Sequence, residues 1–113
     1  MWFKQNGSAL GDFEQLVLFG VRRLEDGAYG AAIRQEIHAR SGRDVSINAV
    51  YTTLDRLESK GCLRSSMGEA TEERGGKARR YYAVTAAGMK AIRAHHEALS
   101  SLTRGLESIL SHK

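Results

Sequence analysis

Four cations, Arg74, Lys77, Arg79 and Arg80, fall within seven consecutive residues that contain no acid. Cations at that density neutralise phosphates and release their counterions, although Glu69, Glu72 and Glu73, just upstream, oppose the effect. Ser46, Asn48, Ala49, Tyr51, Thr52, Thr53, Arg56 and Lys60 form a second set, on one stretch with helical spacing. There the Asn48 amide can pair with an adenine edge, Ala49 or a threonine methyl can touch thymine, and Arg56 can meet phosphate or guanine. The plain alternative for Arg56 is a surface pair with Asp55 or Glu58, which is worth little. For Lys77, Arg79 and Arg80 it is a solvated charged hairpin, and strand alternation lets only some of them point one way.

Other reactive residues stand alone. His95 and His96 are adjacent, so on a helix they point about 100° apart, and no carboxylate or cysteine cluster lies near them in the sequence to complete a metal set. Cys62 precedes Leu63 and reads as a small packed hydrophobe. With no phosphate loop, no metal-spaced His/Glu pair and no nucleophile elbow, the sequence predicts neither catalysis nor a cofactor or metal.

The elements that must position these groups come from one small chain of 113 residues, long enough for a single domain and short enough to gain from a partner subunit. Its 17 basic against 13 acidic residues leave a net charge of +4, which favours a polyanionic partner. A single cysteine forms no intramolecular disulfide and no apolar run approaches the roughly 20 residues of a membrane span, so a cytoplasmic protein is expected.

Apolar residues at helical steps mark the elements. Phe13, Leu16, Val17, Val21 and Leu24 predict a helix over 11–26, and Tyr29, Ala32, Ile33 and Ile37 a second one ending at Ser41-Gly42. Ser46 is the expected N-cap of a third, whose inner face is Ile47, Val50, Leu54 and Leu57 and whose end is Lys60-Gly61. Residues 62–67 and 79–84 read as the strands of a hairpin with a long, charged, glycine-rich loop. Thr85 caps a last helix of about 25 residues, about 37 Å long at 1.5 Å per residue. Its stripe of Met89, Ile92, Leu99, Leu102, Leu106, Ile109 and Leu110 runs almost to the chain end. Such a helix overhangs its own domain, and a second copy is the simple cover for its outer stripe. The predicted fold is mostly α with a two-stranded β wing: a winged helix-turn-helix followed by a long C-terminal dimerisation helix.

Two blocks carry a family resemblance. Ser46-Ile47-Asn48-Ala49-Val50-Tyr51-Thr52-Thr53-Leu54-Asp55-Arg56-Leu57-Glu58-Ser59-Lys60-Gly61 resembles the recognition-helix signature of the PadR-like transcriptional regulators. Gly76-Lys77-Ala78-Arg79-Arg80-Tyr81-Tyr82-Ala83-Val84-Thr85-Ala86-Ala87-Gly88 is similar to that family's wing strand and the start of its last helix. Thr52 and Ala78 stand where family members often carry proline. The resemblance, to the smaller subfamily with a short C-terminal region, implies an N-terminal extension over 1–9, a DNA-binding domain over 10–84 and a dimerisation helix over 85–113. It implies a homodimeric repressor on a pseudo-palindromic operator, in which Tyr51 matches the recognition-helix tyrosine and Ser46, Asn48, Ala49, Thr52, Thr53, Arg56, Lys60, Lys77, Arg79 and Arg80 face double-stranded DNA. Ile92, Leu99, Leu102, Leu106, Ile109 and Leu110 would form the dimer interface, and a small molecule between the dimer's helices would relieve repression. The rival reading is a winged-helix module that holds protein partners, in which the basic hairpin is incidental.

Overall fold

A computed structural model of the chain describes residues 10–69 and 75–111. The first apolar stripe forms α1, Asp12–Leu24, slightly shorter than its spacing predicts because the chain tightens into a 3-10 turn at Glu25–Gly27. The second forms α2, Gly30–Ser41. Gly42 ends it with φ +74°, a left-handed conformation that glycine adopts without steric penalty, and its N–H donates to the His38 carbonyl at 2.9 Å. Four residues on, the Ser46 hydroxyl accepts from the Ala49 N–H at 3.0 Å and opens α3, Ile47–Ser59.

The short turn between α2 and α3 is tied on both sides. The Arg34 Nε donates to the Val45 carbonyl at 2.6 Å, while Arg43 reaches back to Asp12 at 3.0 Å and lies over the Phe13 ring. These bonds fix the angle at which α3 leaves the domain.

Strands β1, Leu63–Met67, and β2, Arg80–Val84, pair antiparallel, with Leu63 opposite Val84 and Met67 opposite Arg80. A third segment joins them: Tyr29 bridges Tyr81, and the Ala28 carbonyl accepts from the Tyr82 N–H at 2.8 Å. Because that segment is so short, it leaves no alternating pattern in the sequence. The core forms where α1, α2, α3 and the wing meet, from Val17, Leu18, Val21, Ile33, Ile37, Val50, Leu54, Leu57, Leu63 and Tyr82. Cys62 is buried in the same cluster, and burial pushes its thiol pKa up, as suits a packed side chain.

The last helix differs from expectation in two ways. It begins as predicted, with the Thr85 hydroxyl accepting from the Gly88 N–H at 3.1 Å and donating to the Gly61 carbonyl at 2.6 Å. However, α4 spans Ala86–Thr103 and is about 27 Å long. Gly105 turns the chain at φ +89°, and a separate short helix, α5, Glu107–Leu110, follows. The Glu107 carboxylate accepts from the Gly105 N–H at 3.0 Å and holds the corner. The second correction concerns Ile92, which is 3% exposed and packs in the chain's own core, so it is not part of an outer face.

Arg74, Glu72 and Glu73 of the hairpin loop and the N-terminal extension, residues 1–9, lie outside the described residues. Among the described residues no helix is long and apolar enough to cross a membrane, and no group of three His, Cys, Asp or Glu side chains gathers as a metal site would require.

Candidate nucleic-acid interface

Helix α3 has two unlike faces. Val50, Leu54 and Leu57 are buried against α1 and α2, whereas Asn48, Tyr51, Thr52, Asp55 and Arg56 are exposed, with Ala49 half-buried at the margin. Ser46 is exposed as well, but its hydroxyl is occupied as the cap. Arg56 has no ion-pair partner among the described residues, and Glu58 is engaged elsewhere, accepting from the Ser65 hydroxyl at 2.7 Å. The surface pairing considered for Arg56 is therefore not made, and its guanidinium stays available.

Two residues expected on this face belong to the interior. Thr53 is only 5% exposed, because its position three residues after Val50 turns it inward with Leu54 and Leu57. Lys60 is committed to a salt bridge: its Nζ lies 2.9 Å from both oxygens of Glu14, a buried residue at the start of α1. Lys60 thus ties the end of α3 to the start of α1 and is not free to meet a phosphate.

The Glu14–Lys60 pair has a pH consequence. Burial works against charge on Glu14, but the Gly11 N–H at 2.8 Å and the Lys60 ammonium outweigh it and hold the carboxyl below its ordinary 4.5. A depressed folded pKa gives stability that is fully present above the unfolded value and is lost as pH falls through the folded one. Lys60→Met leaves the carboxylate with the Gly11 amide alone. Urea denaturation at pH 7 should show a loss of about 1.5–3 kcal/mol, the range for a hydrogen bond to a charged group. Acid unfolding should also begin at a higher pH than in the parent protein.

Tyr51, 47% exposed, is braced against α2: a β-carbon at Gly30 would fall 2.6 Å from its ring and hydroxyl. Tyr51, Gly30, Tyr29, Met67, Arg79 and Arg80 line one open cleft of about 380 Å³ between α3, the start of α2 and the wing. The recognition-helix tyrosine and two of the wing cations predicted from sequence are thus brought to one place. The Arg79 guanidinium lies 3.9 Å above the Tyr29 ring. Arg80, at the start of β2, reaches the Ser65 hydroxyl at 3.4 Å, and Lys77 is exposed on the loop side. Tyr29, Gly30 and Met67 are lining residues of this cleft that sequence reasoning missed; it read Tyr29 as one position of the apolar stripe of the second helix and Met67 as the end of a wing strand.

An exposed polar helix face beside a cation-bearing hairpin can read base edges while it holds phosphates. Comparison with known proteins agrees with this architecture. Residues 21–94 match the model of the Transcriptional regulator PadR-like family. Transcriptional regulator Rv3488 of Mycobacterium tuberculosis is 38% identical over 84 residues, covering 74% of this chain and 74% of that protein. The crystal structure of a PadR family transcriptional regulator from Eggerthella lenta is 31% identical and superposes with a TM-score of 0.66 over 89% of this chain and 83% of that one. A PadR-like transcriptional regulator from Bacillus cereus, 17% identical, shares the fold with a TM-score of 0.69 over 89% and 93% of the two chains. With its recognition-helix and wing blocks both inside the matched segment, the chain belongs to the PadR-like family of transcriptional regulators.

Proposed function

We propose that this regulator is a homodimeric repressor that binds a pseudo-palindromic DNA operator, with α3 of each subunit in successive major grooves and each wing on the neighbouring backbone. The observation that carries the reading is the cleft where the exposed face of α3 meets Arg79 and Arg80. Asn48, Ala49, Tyr51 and Thr52 supply base-edge contacts, and Arg56, Lys77, Arg79 and Arg80 supply phosphate contacts. Ser46 contributes as the cap that sets the start of the helix. The division of the chain into an extension over 1–9, a DNA-binding domain over 10–84 and a dimerisation segment over 85–113 is part of the same reading.

Dimerisation is supported by the stripe on α4. Its first half, Met89 and Ile92, covers the chain's own core, and the same face continues through Leu99 and Leu102, which are 48% and 75% exposed. Leu106, Ile109 and Leu110 extend the apolar surface past the corner at Gly105. A second copy buries it and sets the spacing of the two reading heads at about 34 Å, one helical turn of DNA. A small molecule seated between the dimer's helices would relieve repression by favouring a different spacing, to the extent that it binds that spacing better.

Replacing Arg79 and Arg80 together by alanine tests the wing. Each lost phosphate contact removes about 0.9 from the slope of log affinity against log salt, so the double variant should show a slope shallower by about 1.8. The affinity loss should be nearly the same for preferred and scrambled duplexes. Fluorescence anisotropy across a salt series measures both. An unchanged slope in the double variant contradicts the wing's role and favours the protein-binding alternative.

A further inference from the structure

Tyr29 lies outside both blocks that the sequence marks for binding, yet its ring lies against the guanidinium of Arg79, one of the two cations of the cleft. It is the residue before α2, in the short segment that bridges β2. Its ring is fixed from two directions: the main chain bridges Tyr81, and the Tyr81 ring meets it edge-on with centroids 5.8 Å apart at 80°. The Arg79 guanidinium stacks on it at 3.9 Å. Arg79 is also held through its main chain, where its carbonyl accepts from the Gly68 N–H at 2.6 Å across the hairpin.

Stacking on a ring engages the face of a guanidinium and leaves its N–H donors in plane and free to reach an anion. An arginine so held has already lost the rotamer freedom that it would otherwise lose on binding. Arg80 differs in this respect, since among the described residues its side chain is tethered by a 3.4 Å contact with the Ser65 hydroxyl, a weak hydrogen bond.

We propose that Tyr29 is a positioning residue for nucleic-acid binding: its ring holds the Arg79 guanidinium at the mouth of the cleft, beside Tyr51, so that a backbone phosphate meets donors already in place. This inference rests on the DNA-binding reading of the wing. Tyr29 itself need not touch DNA, and what it supplies is order in another residue.

The test compares Tyr29→Leu, Tyr29→Phe, Arg79→Ala and the Tyr29→Leu/Arg79→Ala double variant on a labelled random-sequence duplex. Tyr29→Leu should weaken binding about two- to five-fold, the range of an exposed cation–π contact, with the salt slope unchanged because the phosphate contact is still made. Tyr29→Phe keeps the ring and should bind like the parent. In the Arg79→Ala background Tyr29→Leu should have no further effect. The inference is overturned if Tyr29→Leu binds like the parent, if Tyr29→Phe falls as far as Tyr29→Leu, or if Tyr29→Leu weakens binding equally with and without Arg79. Should Tyr29→Leu not fold, the NMR resonances of the Arg79 side chain in the unaltered protein decide: ring-current shifts support the stack, and unshifted resonances overturn it. An Arg79→Ala variant that binds DNA like the parent would instead contradict the DNA-binding role of the wing, whatever Tyr29 does.

Discussion

Replacing Leu99 and Leu102 together by serine should yield a folded monomer that binds the proposed operator about 10²- to 10⁴-fold more weakly than the parent. The magnitude is that of avidity: two reading heads tied in one dimer bind the second half-site intramolecularly, and untied ones do not. Folding survives because both side chains project from the overhanging half of α4 and are not members of the core cluster. Sedimentation velocity reads the oligomeric state, and anisotropy on a paired and a single half-site duplex reads the affinity. The loss should be confined to the paired site. A double variant that stays dimeric would show that the subunits meet elsewhere.

Gly88→Ala should produce the largest loss of stability of the glycine-to-alanine changes among the described residues. A β-carbon there collides with the main-chain carbonyl oxygen of Cys62 and falls 2.8 Å from the Val84 Cγ1. The Cys62 carbonyl cannot move aside cheaply, since it accepts from the Thr85 N–H at 3.0 Å in the bond that joins the first turn of α4 to β1. Alanine gains about 1 kcal/mol over glycine in helix propensity, whereas overpacking against fixed main chain costs about 1–3 kcal/mol and at times more. Against rigid main chain the clash sits at the upper end of that range and prevails, and a net loss of up to about 2 kcal/mol lowers the melting temperature by up to about 10 °C in a domain of this size. On the proposed dimer reading DNA affinity should fall as well, because α4 carries the surface proposed to set the spacing of two subunits. Thermal melting followed by circular dichroism checks the first effect, and unchanged melting would mean that α4 is docked more loosely than its contacts indicate.

The parts of the fold legible in the sequence were those fixed by local chemistry. Ser46 and Thr85 cap their helices as their hydroxyls predict, Gly42 ends α2 in the left-handed region, and most apolar positions of α1, α2 and α3 lie in the core or against it, while Leu16, Ala32 and Ile47 are half-buried outside it. What the sequence hid was non-local or ambiguous. Lys60 pairs with a carboxylate 46 residues away, a distance at which nothing in its neighbourhood gives warning. Thr53 sits in the recognition block but also three residues after Val50, and the helical period, which turns it inward, decides its place. Leu99, Leu102, Leu106, Ile109 and Leu110 keep steps of three and four across Gly105, so periodicity alone joined two helices that the chain separates. The cleft formed by Tyr29, Gly30, Tyr51, Arg79 and Arg80 draws on three elements, and only the closed fold brings them together.

The central claim, that a symmetric dimer reads DNA through α3 and grips it through the wing, is tested most directly by selecting bound duplexes from a random library with the full chain. The account predicts enrichment of an inverted repeat whose half-sites are centred about one helical turn apart, with affinity for the enriched duplex falling steeply as salt rises. Recovery of no common sequence, or binding that does not respond to salt, would contradict it.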